Sequence, residues 1–509
     1  MTGCARFFAV GAGVTVVTHG FNTSINGWVV PMVDKMAQYP SLPGTNYSCY
    51  EVHITRNAQN QYVAAATLVG GVSPADSDSG EVFIKLNWST LSGIGGASTA
   101  IIANTTAAAL LSTNFIPALN GRALAELPLH LAGHSRGASI VSEMARAFGA
   151  QGVWVDHATF LDPRPVSELG DPAMKNYANI FFTDNYWQNM GDGLFVPNGQ
   201  FIPGAYNRQL TDLNGGDSSS HSDVHHWYRG TIDSAVPLIV GSSTIGATQR
   251  QTWWTSNETS GATAGFYYSL IGGGDRLNNL EPAGVGKGRV RDGYNKIWDL
   301  GAGLATNRDS LPANNGAWPN LLKLNLIRTN VISVDDLLAV NFYTQFGATT
   351  SLMAGVSFFL DSDANPFTTN QIELFQTNIF STGTGNVAAG TVSILLNAAQ
   401  ILPGDYTIFA RISDGVRTRY LYAPQSLVLL PSRQLPVLST PRVEDSQFHF
   451  NITGFAGQTI VVQASTNLVE WTSISTNTLA NQSLEFSDGS GFVLPLKFYR
   501  AVLVQPDAN

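Results

Sequence analysis

Leu131-Ala132-Gly133-His134-Ser135-Arg136-Gly137-Ala138 decides how this chain is read. The stretch predicts a strand from Leu127 to Leu131, a Gly-x-Ser-x-Gly turn, and a helix from Ala138 to Phe148. A serine at the tip of such a turn sits in a cramped backbone conformation. Gly133 and Gly137 remove the side chains that would strike the neighbouring strand and helix. The helix N-terminus turns free N–H groups and partial positive charge toward the serine, which favours an oxyanion there. With 50 glycines in the chain the bare motif arises easily by chance, and a loop serine is the bland alternative. Both flanks have the type that the chemistry needs, which makes Ser135 the candidate nucleophile.

Upstream, Val14 to Thr18 reads as a buried strand followed by His19-Gly20-Phe21-Asn22-Thr23, and Trp28 to Tyr39 as a helix. Tyr50 to Arg56 and Tyr62 to Val69 read as a hairpin turned at Asn57 to Asn60. Glu81 to Trp88 is a further strand, and the Ala-rich stretch Ala97 to Leu111 a helix. Downstream come the strands His157 to Leu161, ending in Asp162-Pro163, and Ala178 to Thr183, ending in Asp184-Asn185. This alternation predicts an α/β fold with a doubly wound, mostly parallel sheet. In such sheets a site forms beyond the carboxyl ends of the strands. His19, Ser135, Asp162 and Asp184 each follow a strand in this reading, which argues for one shared site.

A serine that cleaves esters needs a histidine to take its proton and a carboxylate to hold that histidine. The acid candidates are Asp162 and Asp184. The base candidates are His221, His225 and His226 in Ser220-His221-Ser222-Asp223-Val224-His225-His226-Trp227-Tyr228. An Asx turn at Asp162 and a structural histidine patch are the competing accounts. Trp88, Trp187 and Trp227 either line an acyl or aryl pocket or pack in the core.

Val17-Thr18-His19-Gly20-Phe21, Lys85-Leu86-Asn87-Trp88, the serine turn, Phe160-Leu161-Asp162-Pro163 and His221 through Tyr228 together resemble the landmarks of the α/β-hydrolase lipases, particularly the pancreatic lipase type. The resemblance spans Val14 to Ile232. It implies that Asp162 is the acid and His221 the base, with Trp227-Tyr228 as the family's aromatic pair. It also implies that the N–H groups of Phe21 and Arg136 form an oxyanion hole. Arg136 departs from the apolar residue usual there. No plainly amphipathic lid stands out, although Tyr186 to Pro203 or the Cys49 to Gly80 insert could cover the site. A general esterase is expected ahead of a lipase activated at interfaces.

Composition bounds the rest. The chain has 509 residues, which implies two or three domains. Charged residues make up 12%, about half the usual share, a profile that suits a secreted, turn-rich protein. Net charge is −9 without a basic cluster, which speaks against nucleic acid. No apolar run reaches the roughly 18 residues of a spanning helix. Phe7 to Val17 reads as a core strand rather than a signal peptide, so any export signal lies outside this chain. Cys4 and Cys49 are a disulfide pair or free thiols. Gly272-Gly273-Gly274-Asp275 lacks the lysine of a phosphate loop.

Near Asn320 the pattern changes to short alternating runs with turn signals, which predicts all-β sandwiches. The expected boundaries are a hydrolase domain over residues 1–325, a sandwich over 326–431 and a smaller sandwich over 440–509. Asp361, Asp363 and Asn365 alternate through a turn, as the opening residues of a calcium loop do, or form a plain Asx turn. No cofactor is otherwise called for. Val461 through Trp471 with Phe498-Tyr499-Arg500 is similar to modules appended to secreted bacterial proteins, which implies an extracellular or surface setting, with either attachment to a cell surface or polysaccharide or the part of a passive spacer that shields the hydrolase. The functional expectation is a secreted serine carboxylic-ester hydrolase. The alternatives are an inactive surface or carbohydrate-binding protein on a hydrolase scaffold, and a peptidase or acyltransferase with the same triad.

Overall fold

Val14-Thr15-Val16-Val17-Thr18 forms β1 (Val14–Thr18), every residue of it buried, because β-branched side chains suit a strand covered on both faces. The computed structural model describes residues 12–39, 46–191, 197–211, 213, 216, 219–240, 243–254, 265–269, 271, 308–311, 318–327, 330–346, 352–381, 388–489 and 496–504. Cys4 and the glycine run 272–275 lie outside them.

Around β1 an eight-stranded sheet is built from β2 (Ser48–Arg56), β3 (Tyr62–Gly71), β4 (Val82–Asn87), β5 (Leu129–His134), β6 (Val155–Leu161), β7 (Ile180–Trp187) and β8 (Tyr206–Gln209). Its order is β3-β2-β4-β1-β5-β6-β7-β8. All neighbours pair in parallel except β2 and β3. That hairpin turns at Asn57, whose Oδ1 accepts the N–H groups of Gln59 at 3.0 Å and Gln61 at 2.8 Å. The helices are α1 (Val29–Met36), α2 (Thr99–Leu111), α3 (Arg136–Ala150), α4 (Ser220–Gly230) and α5 (Ala247–Trp253). Successive strand residues face opposite sides. Val16 therefore packs in a core with Ile102, Met144 and Phe148 from α2 and α3, while Val17 packs with Met32, Val224 and Trp227 from α1 and α4.

For the chain as a whole the α/β expectation is corrected. It is a mostly β protein, 43% strand and 18% helix, with six separate sheets among the described residues. Helices are few and short: α1 holds 8 residues where Trp28 to Tyr39 was expected. Beyond Asn320 the described elements are all strands. Strand ends also moved. β5 runs through to His134 and β7 to Trp187, which leaves Asp184 inside a strand rather than beyond one.

The chain divides into two units. The first comprises residues 1–325, 341–390 and 407–424. Within it, Met353–Asp361 pairs antiparallel with Ile372–Phe380 and, from Thr407 to Ser413, with a third strand. Buried Arg419 joins these strands to the parallel sheet. It donates to the carbonyls of Ala125 at 3.1 Å and Trp154 at 3.0 Å, and pairs with Asp156 at 3.2 Å.

The second unit comprises residues 326–340, 391–406 and 425–509. Its C-terminal part is a small sandwich. One sheet is Val437–Glu444, Gln447–Thr453 and Ser483–Asp488; the other is Thr472–Thr478, Thr459–Ser465 and Phe498–Leu503. Phe450, Ile452, Ile460, Val462 and Leu479 are buried together as its core.

Candidate functional site

Ser135 stands between β5 and α3 with φ 58° and ψ −123°, a backbone region that residues with a side chain rarely enter. Its N–H still bonds the carbonyl of Leu161 at 3.0 Å, so the β5–β6 pairing continues into the turn. The crowding explains the glycines. A Cβ on Gly133 would lie 2.2 Å from the carbonyl oxygen of Gly137, and one on Gly137 would lie 2.6 Å from that of His19. Gly20 lies against the serine, where a Cβ would come within 2.8 Å of Ser135 Cβ and 3.2 Å of its Oγ. The Gly20–Phe21 backbone therefore passes directly beside the hydroxyl.

Arg136 opens α3, so its N–H has no acceptor within the helix. Its side chain, fully buried, meets Asp171 through Nε at 2.6 Å and Nη2 at 2.7 Å, and donates to the carbonyls of Ser92 at 2.6 Å and Ala97 at 3.0 Å. The Ser92 carbonyl also accepts the N–H of Asn22 at 3.4 Å. One guanidinium thus ties the loop that carries Phe21 to the first turn of α3. This accounts for a fully buried arginine at this position. Burial raises the Asp171 carboxyl, but Arg136 and the N–H groups of Val166 and Thr99 more than offset it, and the net shift is downward.

The strand before Gly20 is held as firmly. Trp88 donates Nε1–H to the carbonyl of His19 at 3.1 Å and its own N–H to His19 Nε2 at 3.2 Å. Burial pushes the His19 imidazole down to about 4, and it serves as a neutral strut.

Asp162 follows β6 with φ 45° and is fully buried. Its Oδ2 accepts Nδ1–H of His221. His221 lies in the first turn of α4 and keeps 12% of its side chain exposed. His134, next to the serine, donates Nε2–H to the carbonyl of His221 at 2.8 Å, with the two rings 4.5 Å apart. The structure thus joins Asp162 to His221 and, through His134, holds the first turn of α4 against the residue that precedes Ser135; among the described residues no hydrogen bond links Ser135 Oγ to His221.

The alternative candidates make other contacts. Asp184 binds Nε2 of His157 at 2.9 Å and the hydroxyl of Tyr186 at 3.0 Å. Burial pushes its carboxyl up to about 7. It belongs to a polar knot in the sheet and is not the partner of His221. His225 stacks on Trp28 at 4.7 Å and packs edge-on against His226 at 4.2 Å. Burial holds His225 well below its ordinary range. Trp88 and Trp227 are fully buried, so they are core residues rather than walls of an open pocket, and Trp187 is half-buried. The Cys49 to Gly80 insert holds the hairpin β2–β3 at the edge of the sheet. Cys49 is buried and has no disulfide partner among the described residues.

In the second candidate site, Asp361 Oδ1 accepts the N–H of Asp363 at 3.1 Å, Asp363 Oδ1 that of Asn365 at 2.9 Å, and Asn365 Oδ1 that of Phe367 at 2.9 Å. These oxygens are engaged in consecutive Asx turns. Among the described residues no group of three or more His, Cys, Asp or Glu side chains is arranged to hold a metal ion.

Sequence reasoning missed Gln188 and Asp171. Both act through hydrogen bonds to the site, and neither stands in a motif.

No family model matches the chain. No curated protein matches it either. Among solved structures it is similar to the CARDB domain of a Pyrococcus furiosus protein in complex with di-metal ions, at 13% identity over 23% of this chain and 99% of that one, TM-score 0.16. It is likewise similar to the C-terminal domain of wzt, at 11% identity over 23% of this chain and 76% of that one, TM-score 0.17. A third is red sea bream transglutaminase, at 9% identity over 40% of this chain and 29% of that one, TM-score 0.15. Likenesses this slight place no residue. The lipase-family and secreted-module resemblances read from the sequence are corrected: 43% strand against 18% helix, with six separate sheets among the described residues, makes this a strand-rich, multidomain chain.

Proposed function

We propose that this chain hydrolyses carboxylic esters through Ser135. The observation that carries the proposal is the Asp162–His221 hydrogen bond, held through His134 against a serine in a strained strand-to-helix turn. His221 Nε2 takes the proton of Ser135 Oγ as that oxygen attacks the ester carbonyl. Asp162 keeps the proton on Nδ1 and stabilises the imidazolium. The N–H groups of Phe21 and Arg136 are the donors for the developing oxyanion. Collapse releases the alcohol, protonated by His221, and leaves an acyl-Ser135. Water, deprotonated by His221, then frees the acid. The low charge of the chain fits work outside the cytoplasm.

A p-nitrophenyl ester series of rising acyl length tests this. Ser135→Ala should lower kcat by about 10⁴ or more. Equal turnover by wild type and variant at every chain length would end the proposal, and silence of both would favour a binding protein.

A further inference from the structure

Gln188 follows β7 and is fully buried, yet the proposed chemistry gives it no role. Its N–H bonds Asp162 Oδ1 at 2.8 Å and its Nε2 bonds Oδ2 at 2.9 Å. That Oδ2 is the atom that receives His221 Nδ1–H. The second Nε2 proton goes to the carbonyl of Pro197 at 2.9 Å. Oε1 accepts the N–H of Met190 at 2.7 Å and the hydroxyl of Ser220 at 3.2 Å, and Ser220 immediately precedes His221. One side chain therefore grips the carboxylate and the segment that carries its histidine. The grip is close: a Cβ on Gly199 would lie 2.1 Å from Asp162 Oδ1. Gly199 in turn bonds the carbonyl of Gln188 at 3.0 Å.

We propose that Gln188 is the positioning residue of the Asp162–His221 pair, holding the carboxylate in plane and moderating its pull on the imidazole. The proposal rests on the serine-hydrolase reading. A carboxylate that accepts fewer hydrogen bonds is a stronger base. Removing the Nε2 donor should strengthen the hold of Asp162 on the imidazolium and raise the pH at which His221 protonates. The other titratable groups facing His221 are His134 from β5 and His225 one turn along α4. Burial keeps both well below their ordinary range, so they stay neutral across the window.

Gln188→Met keeps the volume and removes the donors. It should lower kcat on the order of 10–100-fold with little change in KM. It should also move the acidic limb of the kcat/KM profile upward by about half a unit or more. Gln188→Glu puts a second carboxylate beside Asp162 and should move the limb further in the same direction. It serves as the test if the methionine variant fails to fold. An NMR titration of His221 in both variants reads the same shift without substrate. An unmoved His221 titration overturns the positioning role, whatever the turnover. A moved titration in a chain that cleaves no ester overturns only the hydrolase reading.

Discussion

His134 donates its Nε2–H to the main-chain carbonyl of His221 at 2.8 Å. The residue before Ser135 thereby holds the backbone of His221, across a gap of 87 positions in sequence. Burial lowers the His134 imidazole well below its usual value, which keeps it a neutral donor. His134→Phe keeps a ring under the turn but leaves the carbonyl unpaired, at a cost of about 1–3 kcal/mol. Steady-state kinetics should show kcat falling on the order of 10-fold or more with KM nearly constant. An unchanged kcat would show that α4 holds its first turn without this bond.

The two acid candidates separate by substitution. Asp162→Asn removes the acceptor of His221 Nδ1–H and should lower kcat by about 10⁴. Asp184→Asn alters the His157–Tyr186 knot inside the sheet. Turnover should survive it, and its effect should appear in the unfolding midpoint. The reverse pattern in ester assays would move the acid to β7.

Gly20→Ala tests the oxyanion strand. Its new methyl would arrive 2.8 Å from Ser135 Cβ and 3.0 Å from the carbonyl of His134. Neither neighbour can withdraw without opening the turn, so kcat should fall on the order of 10²-fold. Labelling of Ser135 by a phosphonate should slow in parallel. Full labelling speed in this variant would mean that the strand does not border the nucleophile.

Arg136→Met should leave Asp171 buried without its cation. Stability should drop by about 3–5 kcal/mol, read from urea unfolding. Arg136→Lys restores charge without the fork, so it should recover only part of the loss. Complete rescue by lysine would show that charge alone, and not the four-way guanidinium bonding, holds the loop at Ser92 and Ala97.

Glu81 supplies a pH signature. It is buried beside Thr15, whose hydroxyl donates to it at 3.2 Å, and burial raises its carboxyl from 4.5 to about 8. The folded chain keeps a proton there that the unfolded chain has already lost. Its presence therefore costs stability as pH rises from 4.5 through about 8. Glu81→Gln cannot titrate. Thermal melts should show wild type losing ground against the variant across that window and holding a constant gap above it. A gap that does not change with pH would place the Glu81 titration near its ordinary value.

Much of the site was legible in the chain because local stereochemistry imposes it. A serine at φ 58° beside a helix N-terminus needs glycine on either side, and that requirement is written as Gly133 and Gly137. β-Branched runs such as Val14 to Thr18 announce buried strands for the same reason. The pairing of partners far apart was less legible. Asp162 and Asp184 both follow apolar runs and look equivalent in sequence. They differ because β7 continues to Trp187, which carries Asp184 into the sheet, whereas β6 stops at Leu161 and frees Asp162.

By itself the sequence determined the tight turn at Ser135, the β1 strand and the strand-rich character of the C-terminal third, since these follow from residue-by-residue steric and hydrophobic preferences. Tertiary structure alone decided which acid meets His221, why Arg136 stands where it does, and that Trp88 and Trp227 belong to the core. It also turned Asp361, Asp363 and Asn365 into consecutive turns and gave Gln188 its place on the carboxylate. Each of these depends on which atoms distant segments bring within hydrogen-bonding range, and no local pattern encodes that distance.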